Sequence, residues 1–155
     1  MKDAFLVSVI WWVIGILFAV LLVLPMGVGL LGETFIWTNM LIGWLFFSLI
    51  RSLLQFKNTM MAKSVFFRLI IFILLFPLIF WVIQSVLGLQ YEWDYGNLQA
   101  LVEQKYSASK ASFVQEYLLK QYRFVGVGVA VLSAILIIKM VLYTWANFAA
   151  QRSGS

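Results

Sequence analysis

LIIFILLFPLIFWVIQSVLGLQY, residues 69–91, is an unbroken run without Asp, Glu, Lys or Arg, bounded by Arg68 on one side and Glu92 on the other. A helix rises ~1.5 Å per residue and the hydrocarbon core of a bilayer is about 30 Å thick, so roughly 20 such residues make a membrane span. Three further uncharged runs accompany it, at 4–32, 34–50 and 124–138. The first is too long for one straight span and the last too short. In the first, Pro25 followed by Gly27, Gly29 and Gly32 ends or bends the helix near Leu24. In the last, Lys139 can snorkel, and the helix is expected to run on through Met140, Leu142, Tyr143 and Trp145.

The expectation is therefore an all-α integral membrane protein, one domain over residues 1–155, with four transmembrane helices at about 4–24, 34–51, 68–89 and 124–146. Composition agrees: 64% of the 155 residues are hydrophobic, 11% are charged and the mean hydropathy is +1.00, too apolar for a water-soluble domain. The start, Met1-Lys2-Asp3, is a weak basic region. The apolar stretch after it far exceeds the roughly 7 to 15 residues of a signal-peptide core, so an uncleaved first span is expected.

Charge sets the expected orientation. Residues 51–68 hold Arg51, Lys57, Lys63 and Arg68 and no acid, which marks a cytoplasmic connection facing anionic lipid headgroups. Residues 90–123 balance Glu92, Asp94, Glu103 and Glu116 against Lys105, Lys110, Lys120 and Arg123, which suits the outer side. Both termini then face the cytoplasm, as in a bacterial inner-membrane protein. Trp37, Tyr91, Trp93 and Tyr95 fall at the outer boundary and Tyr143 and Trp145 at the inner one, where amphipathic rings anchor. The excess of 11 Lys and Arg over 6 Asp and Glu follows from this topology without a nucleic-acid partner.

The long third connection carries Leu98, Val102, Tyr106, Ser109, Phe113 and Tyr117 at helical spacing, with Asn97 as the expected N-cap. It predicts an amphipathic outer segment over about 97–122, broken into two short helices near the small residues 107–112. Such a stripe lies on the membrane and bundle ends, docks a partner through Tyr106, Phe113 and Tyr117 together with Tyr122, or serves as a substrate lid. Within the spans, Gly126, Ala130 and Ala134 form a small-residue ridge, and Gly15 and Ala19, preceded by Ser8, form a weaker one. The two ridges are expected to pack on each other inside the monomer or on a neighbouring subunit.

Chemistry is sparse. With no Cys and no His, thiol nucleophiles, disulfides, Cys/His zinc sites, haem held by His and Ser-His-Asp triads are excluded, and no cofactor is implied. Gly27-Val28-Gly29-Leu30-Leu31-Gly32 matches a dinucleotide fingerprint in letters only, since it follows a membrane helix and not a strand. Ser8, Thr38, Asn39, Ser48, Gln84, Ser85 and Ser133 are the polar residues of the spans; none is ionisable, which disfavours ion-coupled transport. The leading expectation is a non-catalytic accessory or scaffold subunit acting on other membrane subunits through helix packing and the outer segment. A small homo-oligomeric channel or transporter is the alternative, and requires Ser8, Asn39, Ser48 and Ser133 to converge on one face. A lipid-directed enzyme using Glu92 and Asp94 is a third reading.

Overall fold

The computed structural model describes residues 2–153, and the side chains of residues 6, 7, 9–27, 29–150 and 152 within that range. Helix α1 covers Lys2–Val23, α2 Thr34–Leu54, the short α3 Met60–Lys63, α4 Val65–Asp94, α5 Asn97–Lys105 and α6 Ala108–Ser153. Single 3₁₀ turns at Leu24–Met26, Val28–Leu30 and Phe56–Asn58 fill the connections. The chain is all-helical, with four long apolar helices able to cross a membrane: α1, α2, α4 and α6.

Local chemistry sets each boundary. Pro25 has no N–H to continue the α1 ladder, and Gly27 takes the positive φ of 81° that turns the chain away from the helix. Ser64 caps α4, its hydroxyl accepting from the Phe67 N–H at 3.4 Å. Pro77 lies within α4, where it removes one backbone hydrogen bond without ending the helix. At the start of α5 the capping position belongs to Gly96, at φ 77°, and not to Asn97. Asn97 is the first helical residue, and its amide donates instead to Glu92 Oε2 at 3.0 Å.

The outer segment is built differently from the two short helices expected. Only α5 is short; after an extended Tyr106 the chain enters α6, which runs 46 residues without interruption through the fourth span. At ~1.5 Å per residue that is about 69 Å, more than twice the thickness of a hydrocarbon core. No Gly or Pro occurs between Asn97 and Val125 to break it.

The spans form an open bundle. Helix α1 packs on α2, α2 on α6 and α6 on α4, whereas α2 and α4 barely touch. The spine is α6, which buries Val114, Leu118, Tyr122, Val125, Val129, Leu136 and Met140 at spacings of three, four and seven residues. Close approach is made by small residues. A Cβ at Gly126 would lie 2.3 Å from Val86 Cγ2, one at Gly128 2.4 Å from Phe46 Cε2, and one at Gly43 3.6 Å from the Ala19 backbone. Between α1, α2 and α6 runs a ladder of rings, Phe47 against Phe18, Phe18 against Phe46 and Phe46 against Phe124, with centroids 5.6–6.5 Å apart. One buried polar pair crosses the same seam: Asn39 donates to Gln121 Oε1 at 2.7 Å and Gln121 donates back to Asn39 Oδ1 at 3.0 Å. Each amide satisfies the other where lipid offers no partner.

Candidate functional site: the cleft between α2 and α4

Because α2 and α4 flank α6 without closing on each other, a cleft opens between them with α6 as its floor. Two cavities occupy it. One, of about 540 Å³, lies towards the α2–α3–α4 hairpin and is lined by Leu45, Ser48, Ser52, Leu74, Pro77, Leu78 and Trp81, with Leu136 of α6 beneath. The other, of about 420 Å³, lies at the end carrying α5 and is lined by Glu33, Thr34, Thr38, Ser85, Gly88, Glu92, Asn97 and Tyr122. The two cavities, which share no lining residue, differ in polarity: apolar near the hairpin, rich in hydroxyls and carboxylates near α5. Lys105 crosses to Glu33 Oε1 at 2.6 Å, and the Ser85 hydroxyl is committed to the Trp81 carbonyl at 2.8 Å.

The end carrying α5 is held by tyrosine hydroxyls. Pro25 breaks α1 and leaves its last carbonyls without helical partners. Tyr117 donates to the Leu22 carbonyl at 2.9 Å and Tyr106 to the Met26 carbonyl at 2.8 Å. Two of the residues expected to face a partner are thus turned inward, Tyr117 to the last turn of α1 and Tyr106 to the 3₁₀ turn after it. Phe113 is exposed and stacks on Tyr117, with centroids 6.0 Å apart.

At the hairpin end, the four basic residues expected at lipid headgroups have different surroundings. Lys57 and Lys63 are exposed. Arg51 lies 5.7 Å from the centre of the Trp11 ring. Arg68 is 6% exposed and turned into the protein: Nε donates to the Met61 carbonyl at 2.9 Å, Nη2 to the Ala62 carbonyl at 3.2 Å and Nη1 to Thr144 Oγ1 at 2.8 Å. Its guanidinium also covers the Tyr143 ring at 4.8 Å. The physical reason is the end of α3, whose last carbonyls need donors and receive a planar fork. Lys139, expected to snorkel, reaches the Leu53 carbonyl in the last turn of α2 at 2.6 Å, where a cation also complements the helix dipole.

The two small-residue ridges do not meet. Gly15 and Ala19 are buried against α2, at Trp44 and Phe47 for Gly15 and at Gly43 for Ala19. Gly126 is buried against Val82 and Val86 of α4, Ala130 is half-buried and Ala134 is exposed. Among the described side chains, the polar residues required for a pore have separate surroundings. Asn39 is sealed with Gln121, Ser133 is fully buried on α6, Ser48 lines the cleft, and Ser8 lies outside the described side chains. Glu92 and Asp94 are exposed and accept from Asn97 and Gln90 respectively. Gln121, Arg68 as an inward lock and the Lys105–Glu33 pair were not singled out from sequence. Asn39 was the available signal for Gln121, since an amide at membrane depth needs an amide or hydroxyl partner.

No family model, no curated protein and no solved structure matches this chain.

Proposed function

We propose that this protein is a non-catalytic accessory or scaffold subunit of a larger membrane assembly. In this reading it sits in a bacterial inner membrane, with the hairpin and both termini in the cytoplasm and α5 outside. The observation that carries the reading is the uncovered side of α4. Phe66, Leu69, Ile73, Phe76, Phe80, Ile83 and Leu87 are all exposed and recur at alternating spacings of three and four residues. The same helix turns Leu75, Val82 and Leu89 to the core on another face. Alternation of three and four is the spacing with which one helix presents knobs to another along a left-handed crossing. Lipid can cover such a seam, but a partner helix gains more dispersion contact from it because fixed rings interlock where acyl chains do not.

Native mass spectrometry of the protein extracted in a mild detergent from its own membrane, without overexpression, tests the reading. Foreign subunits should co-elute with the wild type, and the double variant Phe76→Ala, Phe80→Ala should release them while still inserting. Recovery of a bare monomer or a homo-oligomer would reject the accessory role.

A further inference from the structure

We propose that the cleft between α2 and α4 is a lipid site whose occupant is a phospholipid with a zwitterionic, amine-bearing headgroup. The head lies at the α5 end and an acyl chain along the hairpin-side half. This goes beyond the scaffold reading and uses a different face of α4: Ile71, Leu74, Leu78 and Trp81 line the apolar cavity, and Ser85, Gly88 and Glu92 continue the same stripe into the polar one.

Three observations select this ligand class. Both cavities are partly open on the side where α2 and α4 diverge, along helices apolar and long enough to cross a membrane, which gives a molecule a sideways route in from the bilayer. The cleft's polarity is graded as an amphiphile is: hydroxyls of Thr34 and Thr38 and the carboxylates of Glu33 and Glu92 at one end, then the apolar stretch from Trp81 to Ile71, about 15 Å of helix. Gly88 adds room at the level of the head, since a Cβ there would meet no atom within 4 Å.

Charge decides between headgroups. The mouth presents the carboxylates of Glu33 and Glu92, and the Lys105 ammonium pairs with Glu33 at 2.6 Å. An amine-bearing phospholipid places its ammonium near the carboxylates and its phosphate near Lys105. A head with phosphate and no amine brings a net negative charge to a site that is already net negative. The site therefore discriminates by the ammonium while the cleft holds the chain.

The experiment strips the full-length protein of lipid by washing in mild detergent, then adds back dioleoyl phosphatidylethanolamine or dioleoyl phosphatidylglycerol. Lipids retained per protein are counted by native mass spectrometry. One phosphatidylethanolamine should be retained about fivefold more than phosphatidylglycerol, the scale of one charge near a membrane surface. Glu33→Gln with Glu92→Gln should abolish the preference and keep the lipid. Leu74→Trp, which fills the apolar cavity, should lose both lipids, and Leu17→Trp, on the exposed side of α1 and outside both cavities and the α4 seam, should lose neither. Should the double Gln variant fail to fold, Gly88→Leu takes its place by filling the headgroup end. Equal retention of the two lipids by the wild type, no retained lipid, or full retention by Leu74→Trp would overturn the proposal. None of these outcomes touches the Phe76–Phe80 seam, so the lipid site and the scaffold reading stand or fall separately.

Discussion

The two ends of the bundle solve the same problem with different chemistry. Each has frayed helix carbonyls that need donors. At the α5 end, Leu22 and Met26 receive neutral tyrosine hydroxyls from Tyr117 and Tyr106. At the hairpin end, Leu53, Met61 and Ala62 receive the cations Lys139 and Arg68. The difference teaches that the basic residues at the hairpin end are not all spent on lipid or orientation. Some are fasteners, and a helix C-terminus is where a cation is favoured by the backbone itself. A hydroxyl gives a weaker bond but carries no charge to desolvate, which suits an end where carboxylates already line the cleft.

The largest expected effect lies at the cationic end. Arg68→Ala leaves the Met61 and Ala62 carbonyls and the Thr144 hydroxyl without their donor, so equilibrium unfolding in detergent should show a loss of about 3 kcal/mol. Arg68→Lys should recover little of it, because one ammonium cannot serve three acceptors in a plane. A loss below that of Tyr117→Phe would erase the contrast between the ends.

Midway between the ends, Gly126→Leu should cost about 2 kcal/mol by forcing α4 away from α6. Ala134→Leu, from the same sequence ridge but on the exposed side, should be near neutral in the same denaturation assay. Equal effects at the two positions would mean that the ridge packs as a unit after all.

The smallest effect belongs to the neutral end. Tyr117→Phe removes one hydrogen bond to Leu22 and keeps the ring stacked on Phe113, so about 1 kcal/mol should be lost. Faster amide exchange should be confined to the last turn of α1 and the 24–33 connection. Exchange spread across the bundle would show that the hydroxyl secures more than a frayed end.

The spans were legible because charge is excluded over the necessary length, and Pro25 and Gly27 announced the end of α1 by their backbone requirements. The order of helices was not. In α1 and α4 apolar residues occupy every face, so the side that meets lipid and the side that meets protein have the same composition. Gly15 and Gly126 could be read as close-approach positions, but not which neighbour approaches. The cleft was hidden for the same reason: Thr38 and Ser85 are unremarkable until α2 and α4 are seen to stand apart. The tyrosine hydroxyls of residues 106 and 117 find carbonyls some 80 and 95 positions away in the chain, a pairing no local pattern encodes.

The continuity of α6 has a mechanical consequence. Tyr117, which fastens α1, and Thr144, which receives Arg68, ride on one unbroken helix about 40 Å apart along its axis. A helix neither stretches nor shortens appreciably, so the distance between the two fastenings is a fixed gauge. In a thinner or thicker membrane the protein cannot adapt by sliding α6 past its neighbours without breaking one latch or the other. Tilting the bundle as a whole breaks neither latch, and is an adjustment to bilayer thickness that the two fastenings leave free.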